Sequence, residues 1–246
     1  MRRIRIGTSG WQYADWRGLL YPAKLPQREW LATYAQAFDT VEVNSSFYRL
    51  PTTDTVKRWA DTLPDGFVMA IKASRFLTHV KRLREPGEPV ERLLGVLDPL
   101  RSRGLLGPVL VQLPPDLAVE AQRLDDTLAR FPRELRVAVE PRHRSWFTDE
   151  VRGLLSSYGA ALVWADREGR SVGPLWETAT WRYVRLHHGR RDWGYDNRDL
   201  ARWAGRLLAA GDGYLYANND PGGAAVRDAR RLLAMTGQPA QDALAV

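Results

Sequence analysis

Eight short runs of β-branched and apolar residues recur along this 246-residue chain, and they constrain its fold more than any other feature. The runs are Arg3–Thr8, Thr40–Asn44, Phe67–Ala73, Pro108–Leu113, Arg136–Glu140, Ala160–Asp166, Tyr183–His187 and Gly213–Asn218. Segments with the apolar spacing of a helix separate most of them: Gln27–Ala37, Asp54–Leu63, Val90–Arg103, Glu120–Phe131, Thr148–Tyr158, Arg198–Ala210 and Ala224–Met235. Alternating strands and helices indicate a parallel sheet, and eight strands are the number that closes a barrel. The sequence therefore predicts an α/β fold, a (β/α)8 TIM barrel.

One connector departs from this pattern. The segment Arg167–Thr180 contains Gly169, Gly173 and Pro174 and has no apolar stripe, so the sixth helix is predicted to be short or missing. The last residues, Gly237–Val246, have the composition of a frayed tail. Since no linker rich in Pro, Gly or Ser divides the chain, residues 1–246 are predicted to form one domain.

The composition excludes several classes of site. The chain has no cysteine, which rules out disulfides, thiolate nucleophiles and cysteine-ligated metal centres. The first residues, Met1–Gly7, alternate charged and β-branched side chains, which is typical of a strand and not of a signal peptide. No apolar run is long enough to span a bilayer, so we expect a cytoplasmic protein without a membrane partner.

The net charge is positive. Lys and Arg number 36 against 29 Asp and Glu, which gives a formal charge of +7. Such a balance favours anionic partners, either a small molecule or nucleic acid. The cations are dispersed along the chain, so a solvated, arginine-rich surface is the alternative interpretation. The sequence does not indicate an oligomeric state.

Polar residues fall late in each predicted strand, on the inward face. Because side chains alternate along a strand, outward Val41 and Val43 leave Glu42 and Asn44 inside. The same rule places further polar side chains inside: Ser9, Lys72, Ser74, Gln112, Glu140, Arg142, Asp166, Arg185, His187, Asn218 and Asp220. Sites of barrel enzymes lie at the carboxyl ends of the strands, where these residues fall. The alternative is a salt-bridge network that only closes the top of the barrel.

These residues belong to motifs that resemble a known family, the YecE-like proteins, also called domain of unknown function 72. The motifs are Gly7–Trp11, Thr40–Tyr48, Ile71–Ala73, Gln112–Pro115, Val139–Trp146, Val184–His187 and Asn218–Asp220. The resemblance covers nearly the whole chain and implies an irregular TIM barrel without a defined activity. A distant similarity of such proteins to metal-dependent nucleases that cut at abasic sites has been suggested. This sequence lacks the many histidine ligands of those nucleases.

Three kinds of chemistry are consistent with these residues. Glu42 and Glu140 could serve as an acid and base pair, with His187 as a proton donor; the alternative is that each carboxylate is neutralised by a neighbouring cation. A metal could draw on Glu42, Glu140, His143, Asp166, His187 and Asp220. Inward cations would repel a divalent ion, so no metal or cofactor is favoured.

Anion binding is the favoured chemistry. The four cations Lys72, Arg75, Arg142 and Arg185 are predicted to converge. The turn around Gly222 and Gly223 is predicted to offer free N–H groups to a phosphate. A loop that mixes cations and aromatics, His188–Tyr195, suits phosphates with stacked rings. Aromatic residues of neighbouring loops form either a stacking wall or a packed lid: Trp11, Tyr13, Trp16, Phe47, Tyr48, Trp146 and Trp193.

The sequence therefore predicts a hydrolase or lyase that acts on a phosphate-containing substrate, with nucleic acid among the candidates. A nucleic-acid-binding protein without catalysis and a carbohydrate-active barrel using Glu42 and Glu140 are the alternatives. The residues predicted to bind the substrate are Ser9, Trp11, Asn44, Tyr48, Lys72, Gln112, Arg142, His143, Asp166, Arg185, Asn218, Asn219 and Asp220.

Overall fold

The computed structural model describes residues 4–238 and has an α/β fold with largely parallel sheets. The strands are β1 Ile4–Thr8, β2 Thr40–Val43, β3 Val68–Lys72, β4 Leu106–Gln112, β5 Val137–Glu140, β6 Ala161–Leu162, β7 Trp164–Arg167, β8 Arg170–Ser171, β9 Trp181–His188 and β10 Asp212–Ala217. The helices are α1 Trp30–Ala37, α2 Ser45–Tyr48, α3 Thr53–Thr62, α4 Gly87–Val96, α5 Asp98–Ser102, α6 Ala121–Leu128, α7 Asp149–Tyr158, α8 Asn197–Ala210 and α9 Ala224–Met235. The predicted parallel α/β class is confirmed.

The strands form two five-stranded sheets, in the orders β2-β3-β4-β5-β6 and β1-β10-β9-β7-β8. All pairs are parallel except the β7–β8 hairpin. An isolated parallel bridge between Ser9 and Glu42 links the first sheet to the second. On the other side, the predicted sixth strand is divided: Ala161–Leu162 pairs with β5, and Trp164–Arg167 pairs with β9.

The connector between β7 and β9 has no helix, which confirms the prediction of a short or missing sixth helix. It contains the short strand β8 instead. The predicted helix Val90–Arg103 is two helices, because Pro99 begins a new one after a break at Leu97. The predicted tail lies, from residue 239 onward, outside the described residues.

Hydrogen bonds to backbone N–H groups fix where several helices begin. Thr52, Thr148 and Asp196 cap α3, α7 and α8 by accepting a bond from the N–H three residues later. Gly159 ends α7 in a left-handed conformation.

The two faces of the strands pack in two different apolar clusters. Large aliphatic side chains such as Val41, Val139 and Val184 pack in the cluster that includes the helices. A second cluster lies on the opposite strand faces and is built from both sheets: Ala70, Leu110, Ala138, Ala161, Val163, Ala165, Trp181, Tyr183, Tyr214 and Tyr216. Because side chains alternate along a strand, every second residue shares the face of this inner cluster. Toward the carboxyl ends of the strands, the next residues on that face are the polar residues predicted from the sequence.

Candidate anion site at the strand ends

Arg185 is the centre of the polar group above the inner cluster. Its Nη1 atom donates to Glu140 Oε2 at 2.7 Å, and its Nη2 atom donates to Glu42 Oε1 at 2.8 Å. Arg185 is 1% exposed, so both ion pairs are sheltered from water. The guanidinium, which comes from β9 of one sheet, thus joins two carboxylates that both belong to the other sheet, on β2 and β5. We call this group and its neighbours the strand-end site; its members are Ser9, Glu42, Lys72, Gln112, Glu140, Arg142, Arg185, His187 and Asn218.

The carboxylate of Glu42 has no free oxygen. Besides Arg185, it accepts hydrogen bonds from Ser9 Oγ at 2.5 Å and from Tyr183 Oη at 2.6 Å. Burial acts to raise the pKa of Glu42, but Arg185 and these hydroxyls outweigh it and hold the pKa below its ordinary value. Glu42 is therefore a permanent, fully buried anion.

Glu140 is equally engaged. It accepts from Gln112 Nε2 at 2.8 Å, from His187 Nε2 at 2.7 Å and from Arg185, while Arg142 Nε lies 3.8 Å away. Burial opposes ionisation, yet Arg185 and His187 hold the pKa of Glu140 well below its ordinary value. The interpretation of the two carboxylates as groups neutralised by cations fits this geometry, and an exchangeable acid and base pair does not.

His187 uses both ring nitrogens within the protein. Nε2 contacts Glu140, which can only accept, and Nδ1 lies 3.2 Å from Asn218 Nδ2, which can donate. Burial lowers the pKa of His187 below its ordinary value, more than Glu140 raises it. The ring is thus neutral at neutral pH, with its proton on Nε2, and no nitrogen is directed at a substrate.

Lys72 is the cation of the site that pairs with neither Glu42 nor Glu140. Among residues 4–238, its Nζ atom makes neither a hydrogen bond nor an ion pair, and its contact is with the ring of Phe47, 4.0 Å from the centroid. The side chain follows Ala70 on the inner face of β3 and is 6% exposed. Burial, followed by the charge of Arg185, lowers the pKa of Lys72 to about 8.

A histidine missed by the sequence interpretation lies beside Lys72. His79 belongs to a π-helical turn, Phe76–Val80, directly after β3, and its ring packs edge-on against Phe47. Burial, followed by the charges of Lys72, Arg142 and Arg75, lowers the pKa of His79 to about 4. Lys72, Arg142 and Arg75, three of the four cations predicted to converge, therefore all act electrostatically on His79. No sequence motif marked His79; only its position just after a strand is informative.

Several buried polar atoms of the strand ends have no hydrogen-bond partner among the described residues. They are Asn44 Oδ1, Arg142 Nε, Arg185 Nε and Asp220 Oδ1. Asn44, Arg142 and Asp220 follow β2, β5 and β10, and Arg185 lies within β9. Because buried polar atoms are normally paired, this concentration of unpaired atoms is what a ligand or ordered water would satisfy. Burial also raises the pKa of Asp220 to about 7.

The predicted inward orientation of Asp166 is wrong. Its carboxylate accepts from Trp203 Nε1 and from the Gly169 N–H, both at 2.8 Å, on the helix side of β7. On this strand Val163 and Ala165 belong to the inner cluster. The large residues Leu162 and Trp164 already indicate this parity in the sequence, and they place Asp166 outside with them.

The turn after β10 also differs from its prediction. Three N–H groups of this turn are occupied: Gly223 N donates to Asp220 O, Ala224 N to Pro221 O, and Ala225 N to Asn219 O. Gly223 lies against Leu19, and Gly222 is exposed. The prediction of a free donor is therefore wrong for Gly223, and for Gly222 it stays a prediction.

Asn219 also points away from the site. Its Nδ2 atom donates to Trp193 O at 2.9 Å and to Asp228 Oδ2 at 2.8 Å, so the side chain attaches a loop to α9. Trp11 is a core residue that packs edge-on against Trp59. Both were predicted to bind substrate, and their burial instead gives them structural roles.

Two further predicted residues, Tyr48 and His143, lie in the segments that follow β2 and β5. Tyr48 is 77% exposed. His143 accepts from the Ser145 N–H and so caps the turn Arg144–Trp146. Of the other loop aromatics, Trp16 and Trp146 are buried, which supports the packed-lid alternative for them.

Two openings adjoin the site. A cavity of about 20 Å³, enough for one water molecule, is lined by Glu140, Arg142 and His187 among others. A cleft of about 210 Å³ is lined by Phe47, Tyr48, Leu50, Ser74, Phe76, Glu88, Pro89 and Arg92. Phe47 lines this cleft and also contacts the Lys72 ammonium. A cavity of about 390 Å³ lies at the opposite strand ends, around Phe38 and Asp65, away from the polar group.

Within residues 4–238, no three or more His, Asp and Glu side chains are grouped so as to hold a metal ion. Over the same residues, no helix has the length and apolar character to cross a membrane.

The fold and site define a parallel α/β protein with a cation-rich polar group at the strand ends. Residues 5–245 match the family described as "Protein of unknown function DUF72", and the chain belongs to this family. The resemblance found in the sequence is thereby confirmed.

Relatives and a solved structure agree with this assignment. The chain is 24% identical to the UPF0759 protein YunF of Bacillus subtilis, over 94% of this chain and 93% of that protein. It is 30% identical to the UPF0759 protein YecE of Escherichia coli, over 58% of this chain and 50% of that protein. The crystal structure of a DUF72 family protein from Thermotoga maritima superimposes with a TM-score of 0.85 at 24% identity, over 96% of this chain and 99% of that one. The likeness to this structure shows a common fold.

Proposed function

We propose that the two sheets form one irregular (β/α)8 barrel, with residues 1–246 as one domain. Two features support closure: the Ser9–Glu42 bridge on one side and the continuous segment from β6 to β7 on the other. The inner cluster, which draws side chains from both sheets, is then the barrel interior. The strand-end site becomes the mouth of the barrel, where barrel enzymes bind substrates.

We propose that this site binds a small anionic molecule through Lys72 and Arg142. One observation carries the proposal. Glu42 and Glu140 both form ion pairs with Arg185, whereas the Lys72 ammonium has no anionic partner within the described residues. The three cations and two carboxylates sum to a charge of +1 at a sheltered position. An anion would neutralise that charge and receive charge-assisted hydrogen bonds.

The 210 Å³ cleft gives such a ligand room for an uncharged part. Phe47 contacts Lys72 on one side and lines the cleft on the other. The exposed ring of Tyr48 forms part of the cleft wall and suits a flat or apolar group. A ligand with an anionic head at Lys72 and a small organic body at Tyr48 fits both features.

The reaction class remains the one predicted from the sequence, a hydrolase or lyase acting on a phosphate-containing substrate. The roles of the residues change. Glu42, Glu140 and His187 hold Arg185 and each other, so they act as positioning residues. Lys72 and Arg142 are the groups left to contact the substrate.

Titration calorimetry with inorganic phosphate tests the anion site. Lys72→Met and Arg142→Gln should each weaken phosphate binding about ten-fold or more, the effect of losing one charge-assisted hydrogen bond of about 1.5 kcal/mol. Lys57→Met and Arg144→Gln, which remove exposed cations, are the matched controls and should bind like the wild type. Equal affinity in all five proteins would refute the site. Single-stranded DNA in the same titration tests the nucleic-acid alternative, for which binding would depend steeply on salt and little on Lys72.

A further inference from the structure

We propose that Lys72 forms a covalent imine with the carbonyl carbon of an anionic aldehyde or ketone whose charge is held by Arg142. This inference rests on the proposed anion site and names its substrate class. It also assigns Lys72 a reactive role that an ion-pairing lysine would not have.

The surroundings of Lys72 differ from those of a structural lysine. A buried lysine is normally paired with a carboxylate, yet here both nearby carboxylates bind the same arginine. The Nζ atom rests over the Phe47 ring, which can neither accept the lysine proton nor hold it by a salt bridge. The hydrogen bond from Ser46 Oγ to Lys72 O, at 2.8 Å, fixes the backbone at this position. The amine is therefore positioned but not neutralised.

The electrostatics favour a nucleophilic amine. With burial and Arg185 lowering its pKa to about 8, roughly one tenth of Lys72 is uncharged at pH 7. An ordinary lysine with a pKa near 10.4 is uncharged in fewer than about one molecule in a thousand. Desolvation and neighbouring cations are the means by which lysines are activated for imine formation.

The step balances without an oxidant or reductant. The nitrogen lone pair attacks the carbonyl carbon, the π electrons move to oxygen, and the oxygen takes the proton that nitrogen loses. The hydroxyl of the carbinolamine then takes up the proton that the ammonium had released on becoming a free amine, leaves as water, and a protonated imine remains. In sum, one ammonium and one carbonyl give one iminium and one water. An iminium accepts electrons from an adjacent breaking carbon–carbon bond, which is lyase chemistry.

Borohydride trapping tests the inference. The protein is incubated with glyoxylate, an anionic aldehyde, and then with sodium borohydride, which reduces an imine to a stable carboxymethyl amine. The chain has only four lysines, so Lys24, Lys57 and Lys81 serve as internal controls. Trypsin does not cleave at an alkylated lysine, so adduct formation at Lys72 yields a peptide that spans residues 59–75.

Lys72 should be labelled at least about ten times faster than Lys57, given its larger uncharged fraction. Arg142→Gln should slow labelling by glyoxylate but not by acetaldehyde, which has no charge. Lys72→Arg should retain phosphate binding by calorimetry and lose the adduct.

The two proposals can fail separately. Phosphate binding that depends on Lys72 and Arg142, combined with glyoxylate labelling no faster at Lys72 than at Lys57, would overturn the imine and leave the anion site standing. Preferential labelling of Lys72 by glyoxylate and acetaldehyde alike, without phosphate binding, would confirm a reactive amine and refute both the anion site and the recognition of an anionic carbonyl.

Discussion

Arg185 Nη1 lies 2.7 Å from Glu140 Oε2, and both side chains are almost completely buried. Such a pair stabilises the fold little compared with apolar packing, but removing one partner leaves the other charge buried without compensation. Because Glu42 holds the second nitrogen of the same guanidinium, the strand-end site acts as one unit that spans both sheets.

Glu140→Gln should lower the free energy of unfolding by about 3–5 kcal/mol at pH 7, since Arg185 and His187 lose an anionic partner. The pKa of Glu140 is depressed in the folded state, so its contribution is present above the unfolded pKa near 4.3 and is lost as the pH falls below it. Urea denaturation at pH 7 and in acid measures the difference, which should shrink in acid. Glu134→Gln, at an exposed ion pair, is the control and should change stability by less than about 0.5 kcal/mol. A Glu140→Gln protein as stable as this control would contradict the burial of the network.

Lys72→Met should raise the stability at pH 7. The folded-state pKa of about 8 lies below the unfolded value near 10.4, so the unfolded chain binds more protons between these values. The unfolding free energy of the wild type therefore increases with pH across this window, and the burden of the buried charge is complete below pH 8. The advantage of Lys72→Met should accordingly shrink from pH 8 to pH 10, as measured by urea denaturation. Lys57→Met should show no such dependence; a constant difference for Lys72→Met would contradict the lowered pKa.

Asp220→Asn should change stability with the opposite slope. Burial raises the folded-state pKa of Asp220 to about 7, above the unfolded value near 3.9, so the folded protein binds the extra proton between these values. The wild type thus loses stability as the pH rises from about 4 to 7, and the variant does not. Thermal unfolding should show Asp220→Asn gaining on the wild type at pH 8 relative to pH 4. Asp61→Asn, at an exposed position of α3, should follow the wild type at both values.

Gly222→Ala and Gly223→Ala separate backbone strain from ligand binding. Both residues have φ near +65°, at 63° and 71°, which L-residues adopt at a cost of about 1 kcal/mol. A methyl group at Gly223 would also come within 2.3 Å of Leu19 Cδ2, whereas one at Gly222 meets open space. Gly223→Ala should therefore be the less stable variant. Phosphate affinity should be unchanged in Gly222→Ala. A ten-fold loss of affinity in this variant would indicate that phosphate binds at the turn.

Strand parity predicted most of the candidate site. The outward Val41, Val139 and Val184 fix the inward Glu42, Glu140 and Arg185, because one rule of alternation governs all three strands. Asp166 was misplaced because its strand breaks near Val163 and a polar residue was assumed to face inward.

Hydrogen-bond saturation could not be inferred from the sequence. Glu42 and His187 have the residue types of catalytic groups, and only coordinates show that all their polar atoms are occupied. His79 was missed since it comes to the site through an irregular turn and not through a strand. The class of fold is determined by periodic patterns, whereas the charge left unpaired depends on distances between segments far apart in the chain.

A crystal of the protein soaked in phosphate gives the most direct test of the strand-end site. Phosphate within hydrogen-bond distance of both Lys72 Nζ and the Arg142 guanidinium, and absent from crystals of Lys72→Met soaked in the same way, is the expected result. Phosphate at the turn of Gly222 and Gly223, or an Nζ atom of Lys72 paired with a carboxylate in the unsoaked crystal, would contradict it.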